Sequence, residues 1–127
     1  MIPGWHSFRK RKIVIFSVIG IYPSSKHRAQ LIEILHSVLD LTRPCPGCAG
    51  CWLSEEDILH NYIQYAEQWE NEEALHRHIR SDVYRRILAA MELSKQPPEV
   101  GFYFTSEKKG FELVEALRPL GKFQLTP

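Results

Sequence analysis

The chain has 127 residues, of which 44% are hydrophobic and 24% are charged. These values are typical of a globular protein of one domain, and a chain of this length can bury a core without metal or disulfide links. The formal net charge is only +1, so no overall field favours nucleic acid or an acidic membrane as a partner. We therefore interpret the basic residues 9–12 as the solvated end of a strand.

The N-terminus resembles a secretory signal at first sight, because basic residues precede the apolar residues 13–22. That run is short and β-branched, however, and residues 23–28 offer no small-residue cleavage site. No segment approaches the roughly 20 apolar residues of a membrane helix. The three cysteines, an odd number, also argue against an oxidising compartment. The sequence predicts a cytoplasmic protein.

The first elements in the chain are a strand and a helix. Residues 13–19 form a continuous apolar run that predicts a strand buried on both faces. Ser24 or Ser25 can cap a helix that extends to about Leu41, where Arg43 and Pro44 end it.

The middle of the chain predicts two further strands. Residues 51–54 form a short strand, residues 54–57 a polar turn, and residues 58–69 a long strand. Both faces of the long strand mix aromatic and polar side chains. Tyr65, Glu67 and Trp69 share one face with Asn61, while His60 lies on the other. Such a strand suits a sheet that has helices on one side and a pocket or an interface on the other.

The last third predicts two capped helices, a strand and a C-terminal extension. Asn71 and Ser81 are the two N-caps. Residues 100–105 form an aromatic strand, and Ser106 opens a final helix that ends before Pro119. Residues 122–125 form a short strand in the tail.

This order, β-α-β-β-α-β followed by a helix, predicts an α+β fold: the ferredoxin-like split βαβ arrangement with an antiparallel sheet. Its helices would cover one face and leave the other open. Because the first strand is apolar on both faces, exposure of the open face would be unfavourable, so we expect a homodimer through this face.

Two segments resemble the antibiotic-biosynthesis-monooxygenase-like family of dimeric α+β barrels. Residues 69–84 read WENEEALHRHIRSDVY, similar to the family pattern of a strand ending in Trp, a helix with Ala-Leu and His, and a Ser that opens the next helix. Residues 46–48 match the family's Pro-Gly-Cys turn. The resemblance predicts one domain over residues 1–127, with a core at about 12–105 and a C-terminal extension at 106–127.

The resemblance implies a homodimer with a small pocket between each sheet and its helices. Members of the family include cofactor-free monooxygenases of quinols or polycyclic aromatic hydroxy compounds, as well as haem-degrading proteins. The haem-degrading branch uses an Asn on the first strand, a Trp in the following helix and a His about ten residues later. This chain has Phe16 or Ser17, His78 and Leu88 there, so we expect neither haem nor another cofactor.

His78 is the candidate catalytic residue, because histidine titrates near neutrality and can take up a phenolic proton. Candidate substrate-binding residues are Trp69, Tyr65, Tyr84 and Asn61, by ring stacking or hydrogen bonding. The alternative is that these side chains only fill the core, and that His78 is hydrogen-bonded and inert.

Three cysteines share a regular spacing, Cys45-x-x-Cys48-x-x-Cys51. Thiols at this spacing can bind a soft metal or form a disulfide, although three ligands leave zinc short by one. Two functions follow as hypotheses. The first is a cofactor-independent monooxygenase of the quinol class. The second is a non-catalytic protein that binds a small molecule or responds to metal through the Cys loop.

Overall fold

The computed structural model describes residues 13–57 and 61–118, without the side chains of residues 56 and 57. Strands and helices follow one another in the predicted order. Two helices, as the two predicted caps indicated, lie between the third and fourth strands. The elements are β1 (Val14–Ile21), α1 (Arg28–Thr42), β2 (Cys48–Asp57), β3 (Tyr62–Trp69), α2 (Glu72–Ile79), α3 (Asp82–Glu92), β4 (Glu99–Thr105) and α4 (Phe111–Leu117).

The four strands form one antiparallel sheet in the order β2-β3-β1-β4. This is the ferredoxin-like α+β arrangement, as predicted. Within the described residues the sheet is open, with β2 and β4 at its edges. No helix in residues 13–57 and 61–118 is long and apolar enough to cross a membrane.

The main core lies between one face of the sheet and helices α1 and α3. Alternate residues of β1 and β3 point into it, because successive side chains of a strand face opposite sides. Its buried members are Ile19, Ile21, Leu31, Leu35, Val38, Leu39, Cys51, Ile63, Tyr65, Tyr84, Ile87 and Ala90. A second, smaller cluster joins the end of β3 to α2 and contains Ile15, Trp69, Ala74 and Leu75, with Cys45 and Cys48 packed against it.

The predicted polar turn at residues 54–57 is wrong, because these residues extend β2 to Asp57. Ser54 pairs with Gln64 and Asp57 with Tyr62, with a register shift between the two pairs. Since β2 is an edge strand, its polar side chains remain compatible with strand structure. The following strand, β3, begins at Tyr62, after Asn61 in a turn; residues 58–60, where the strand was predicted to begin, lie outside the described part of the chain.

Two predicted helix starts are also displaced. Helix α1 begins at Arg28, because Ser24 forms a turn in which its Oγ accepts from the His27 N–H at 3.2 Å. Helix α4 begins at Phe111 with Gly110 as N-cap, and not at Ser106. The predicted tail strand at residues 122–125 lies outside the described residues.

The caps of α2 and α3 are confirmed. Asn71 Oδ1 accepts from the Ala74 N–H at 2.8 Å. Ser81 Oγ accepts from the Tyr84 N–H at 3.4 Å. Each cap satisfies a backbone donor that the first helical turn leaves without an intrahelical partner. Together the caps fix where the chain turns from β3 into α2 and from α2 into α3.

Candidate functional site

A buried carboxylate, Glu67, lies at the centre of the helix-covered face of β3. Burial alternates strictly along this strand, and Ile63, Tyr65, Glu67 and Trp69 are all on the covered face. Glu67 has 0% exposure. Because acidic side chains are almost never fully buried without partners, the surroundings of Glu67 must compensate its charge.

Three side chains hydrogen-bond the carboxylate of Glu67. Tyr65 donates its hydroxyl to Oε2 at 2.6 Å, and Trp69 donates Nε1–H to Oε1 at 2.8 Å. His78 Nε2 lies 2.7 Å from Oε2. A fourth residue extends the group, since Cys51 Sγ is 3.0 Å from the Tyr65 hydroxyl oxygen. We call Cys51, Tyr65, Glu67, Trp69 and His78 the Glu67 network.

The chemistry of the donors indicates where the protons lie. The indole N–H of Trp69 can only donate. Burial, and after it the charge of Glu67, raises the pKa of Tyr65 far above its usual range, so its hydroxyl remains a donor. An ionised Glu67 then accepts from all three partners, and the His78 tautomer that fits is the one with hydrogen on Nε2. This arrangement leaves Nδ1 as the imidazole nitrogen that can take up a proton.

The thiol of Cys51 is neutral in this group. Burial is the main cause that raises its pKa to about 12, and the Glu67 charge adds to it. As S–H it can donate to the Tyr65 oxygen, which in turn donates to Glu67. The hydrogen bonds therefore run in one direction, because Cys51 donates to Tyr65 and Tyr65 donates to the Glu67 carboxylate.

Local structure holds His78 against Trp69. His78 lies in the last turn of α2, and the Ser81 hydroxyl donates to its carbonyl oxygen at 2.6 Å. The imidazole ring is 4.8 Å from the Trp69 ring, with 34° between their planes. Tyr84 approaches it edge-on at 5.4 Å. Packing on both sides and the bond to Glu67 restrict rotation of the imidazole ring.

A cavity of about 140 Å³ lies beside His78 and Trp69. The turn before β2, the end of β3, helix α2 and the start of α3 line it. Arg77, His78 and Ser81 contribute to its lining, but the surface that lines it is almost entirely apolar. The other lining residues are Cys45, Pro46, Trp69, Ala74 and Val83.

Larger depressions of the surface lie elsewhere. A groove of about 830 Å³ follows the outside of α2, where Glu72 pairs with His76 and Glu73 with Arg77 on exposed side chains. A cleft of about 700 Å³ on the open face of the sheet lies between Phe16, Gln68 and residues 105–109. Neither is lined by a residue of the Glu67 network, so the small cavity is the stronger candidate for chemistry.

The structure brings together four of the five predicted site residues. His78 and Trp69 line the cavity, while Tyr65 and Tyr84 contact the same group from the core. Burial, reinforced by the Glu67 charge, raises the pKa of Tyr84.

Asn61 is not part of this group, although it was predicted to share the site. It precedes β3 and lies eight residues, or roughly 26 Å of extended strand, from Trp69. Its φ of +52° places it in a turn, where its side-chain oxygen accepts from Arg28 at 2.9 Å and its amide donates to the Pro23 carbonyl. The Asn61 side chain therefore ties the β2–β3 connection to the start of α1.

The sequence interpretation gave no role to Glu67. The sequence contained a signal, because a lone acidic residue lies between Tyr65 and Trp69 on the same face of the strand. A second unforeseen group is Ser17, which pairs with Glu67 across β1 and β3. Its hydroxyl is buried and has no hydrogen-bond partner among the described residues.

The three cysteines are free and their thiols have different partners. Cys45 Sγ contacts the Leu41 carbonyl at 3.4 Å, and Cys48 Sγ the Gly50 carbonyl at 3.5 Å. Cys51 belongs to the Glu67 network. Within residues 13–57 and 61–118, no three His, Cys, Asp or Glu side chains are grouped so that they could hold a metal ion.

Comparison with known proteins gives the class to which this fold and site belong. The family model described as antibiotic biosynthesis monooxygenase matches residues 14–90, which include β1 to most of α3 and therefore the whole Glu67 network. The chain belongs to this family. The match ends within α3, before β4 and α4.

Solved structures from several organisms have the same fold. A candidate antibiotic biosynthesis monooxygenase from Deinococcus radiodurans is 25% identical, with a TM-score of 0.67, and the match covers 76% of this chain and 96% of that one. Rv0793 from Mycobacterium tuberculosis is 20% identical, with a TM-score of 0.68 and coverage of 76% and 99%. A conserved protein from Methanosarcina mazei is 21% identical, with a TM-score of 0.66 and coverage of 76% and 96%. No curated protein matches the chain significantly.

Proposed function

We propose that the protein is a cofactor-independent monooxygenase that acts on a small aromatic hydroxy compound of the quinol type. The observation that carries the proposal is the buried pair of Glu67 and His78, 2.7 Å apart, beside the cavity that His78 and Trp69 line. Membership of the family supports the reaction class. The size and lining of the cavity support the class of substrate.

His78 is the proposed general base. With Nε2–H donated to Glu67, Nδ1 can accept the proton of a phenolic hydroxyl. The Glu67 carboxylate then stabilises the imidazolium that forms, as the aspartate of a Ser-His-Asp triad does.

The resulting anion is the reductant for oxygen in this proposal. A deprotonated quinol is electron-rich and reacts with O₂ at a ring carbon. That carbon gains one oxygen atom and the second oxygen leaves as water, so that a quinol and O₂ become a hydroxyquinone and water. The substrate supplies all the electrons, and the protein contributes proton transfer, orientation and exclusion of water.

The volume of the cavity limits what can enter it. A cavity of about 150 Å³ lined by apolar side chains is known to hold one benzene molecule. The cavity here is about 140 Å³, and the Trp69 ring forms one wall. We therefore expect a single aromatic ring to occupy it, and we expect polycyclic substrates to be poor.

Oxygen uptake with a panel of single-ring quinols and phenols tests this function. We expect substrate-dependent uptake with at least one of them, and His78→Ala to lower kcat/KM by about 10²- to 10⁴-fold, which is the usual contribution of a general base. His76→Ala is the matched control, because His76 is on the same helix but its side chain is exposed and pairs with Glu72. Its activity should equal that of the wild type.

Two results would contradict the proposal. One is the absence of substrate-dependent uptake across the panel, and the other is wild-type activity in a folded His78→Ala variant. Circular dichroism and thermal unfolding establish folding for each variant. Tight binding of a ring compound without oxygen uptake would instead favour the non-catalytic binding function.

A homodimer through the open face of the sheet is part of the proposed functional state. On this face Trp52 is 48% and Tyr103 is 56% exposed, and Phe16 and Val18 of β1 lie between them. Gln64 and Gln68 of β3 lie on the same face, but exposed rings grouped in this way favour an interface. A second copy of the chain offers the same aromatic surface and would cover it symmetrically.

A further inference from the structure

The segment Cys45-Pro46-Gly47-Cys48 folds into a tight turn at the wall of the cavity. The Cys48 N–H donates to the Cys45 carbonyl at 3.0 Å, and Gly47 has a φ of +88°. These features match a type II turn with Pro as its second residue and Gly as its third. Such a turn brings its first and fourth Cα atoms within about 7 Å, and Cα atoms of a disulfide are commonly about 4.4–6.8 Å apart.

We infer that Cys45 and Cys48 form a reversible disulfide across this turn, so that the turn is a redox modification site. The inference is independent of the proposed catalysis, since it depends only on the turn and on the accessibility of its two thiols. Both residues are partly exposed, whereas Cys51 is 2% exposed. The pair is therefore accessible to a small oxidant or to a reducing protein.

The turn is held in place independently of its thiols. The Gly47 carbonyl accepts from the Glu70 N–H at 2.9 Å, which joins the turn to the end of β3. On its other side the turn packs against α2 so closely that a Cβ on Gly47 would clash with the Ala74 side chain. A preformed and anchored turn lowers the entropy that closing the disulfide would otherwise cost.

The contacts that the two thiols make in the reduced protein oppose formation of the disulfide only weakly. In the reduced protein each sulfur of the pair makes one long contact to a carbonyl, Cys45 to Leu41 and Cys48 to Gly50. S–H groups are weak donors, so little interaction energy is lost when the two side chains rotate toward each other. Burial raises the pKa of Cys48, so no stable thiolate favours the reduced form of the pair.

Formation of the bond requires an oxidant, and hydrogen peroxide or a low-molecular-weight disulfide has the right chemistry. With peroxide, one thiolate attacks an oxygen atom and becomes a sulfenic acid, with loss of one water. The second thiol displaces the sulfenic hydroxyl as another water, and the S–S bond forms. Two thiols and one H₂O₂ thus give one disulfide and two H₂O, and a dithiol reverses the reaction by exchange.

The turn also forms part of the cavity, which gives oxidation a structural consequence. Cys45 and Pro46 line the cavity together with Trp69 and His78. Movement of the Cys45 sulfur toward Cys48 changes that wall. Because the turn lies at the covered face of the sheet, dimerisation through the open face would leave it accessible.

Thiol counting on the full chain tests the inference. The protein is equilibrated in glutathione buffers from fully reduced to fully oxidised, quenched with acid, alkylated and weighed intact. We expect the oxidised wild type to lose two of its three alkylatable thiols under denaturing conditions, with a mass lower by two hydrogen atoms before alkylation and no dimer on a non-reducing gel. Added dithiothreitol should restore all three thiols.

Three single-residue variants identify which two cysteines form the disulfide. Cys51→Ser should keep the loss of two thiols, because the buried Cys51 is not a partner. Cys45→Ser and Cys48→Ser should each abolish the internal cross-link, and their circular dichroism should match that of the wild type. Three alkylatable thiols at every glutathione ratio, or a cross-link that depends on Cys51, would overturn the assignment.

Discussion

Each face of the sheet has side chains that depart from the rule that apolar groups are buried and charged groups exposed. The helix-covered face buries a carboxylate and an imidazole, with Glu67 at 0% and His78 at 4% exposure. The open face leaves large rings such as Trp52 and Tyr103 about half exposed. Burial on this sheet therefore does not follow hydrophobicity residue by residue.

The contrast indicates that each face is specialised beyond stability. A buried carboxylate with its hydrogen-bond partners is seldom the most stabilising choice, because well-packed apolar side chains of similar volume often do as well or better. Its presence beside a cavity favours a role in chemistry. Exposed rings on the opposite face favour association. The following substitutions and titration test these two assignments, from the largest expected effect to the smallest.

Removal of the Glu67 carboxylate should have the largest effect on stability. Glu67→Ala leaves three buried donors, those of Tyr65, Trp69 and His78, without their acceptor. Breaking a buried pair in this way costs about 3–5 kcal/mol. Urea unfolding monitored by circular dichroism measures the loss in the free energy of unfolding.

Glu70→Ala is the control for this substitution, because the Glu70 side chain is exposed at the end of the same strand. It should change the free energy of unfolding by less than about 0.5 kcal/mol. If the two substitutions lowered the free energy of unfolding equally, the Glu67 carboxylate would not be what stabilises the network.

A charge on the open face should weaken the proposed dimer. Trp52→Glu removes a large ring that is 48% exposed in the single chain. Loss of an aromatic anchor from an interface typically costs about 2 kcal/mol or more, which raises the dimer Kd by about 30-fold or more. Sedimentation equilibrium measures this constant.

Leu88→Glu is the matched control for dimerisation. Leu88 is 49% exposed, but it lies on the outer side of α3, away from the open face. Its substitution should leave the dimer Kd unchanged. A wild-type chain that sediments as a monomer at micromolar concentration would remove the interface assignment altogether.

Alkaline pH should lower the free energy of unfolding, because titratable groups buried on the covered face have raised pKa values. The pKa of Cys51 is about 12 in the folded protein against 9.0 for the free group, so between these values the unfolded chain binds fewer protons than the folded one. Stability therefore falls as pH rises through this window, by about 1.4 kcal/mol per pH unit from Cys51 alone. The raised pKa of Tyr65 adds to the fall above pH 10.

Urea unfolding at pH 8, 9 and 10 measures this slope. Cys51→Ser removes the thiol and should reduce the slope between pH 9 and 10, where Tyr65 contributes little; the remaining slope is expected from Cys48, whose pKa burial also raises. An equal slope in the two proteins would show that Cys51 is not the group responsible.

Much of the fold could be predicted because it depends on local patterns. The β-branched run of β1, the apolar stripe of α1 and the caps Asn71 and Ser81 each determine an element over a few residues. The polar end of β2 could not be predicted in this way, since Ser54 and Asp57 are in a strand only because β3 pairs with them. The start of α1 likewise depended on a turn at Ser24 that competes with the cap.

For the candidate site, too, some features could be predicted from the sequence and others depended on the tertiary structure. The sequence by itself determined that His78 and Trp69 are in adjoining elements, and that Tyr65, Glu67 and Trp69 share a strand face, because alternation is a property of the single strand. Only the tertiary structure decided that the His78 ring reaches Glu67, 11 residues earlier, because that contact depends on the angle at which α2 packs on the sheet. It also decided that Asn61 lies elsewhere and that the three thiols have separate partners, since spacing along the chain does not specify the directions of side chains.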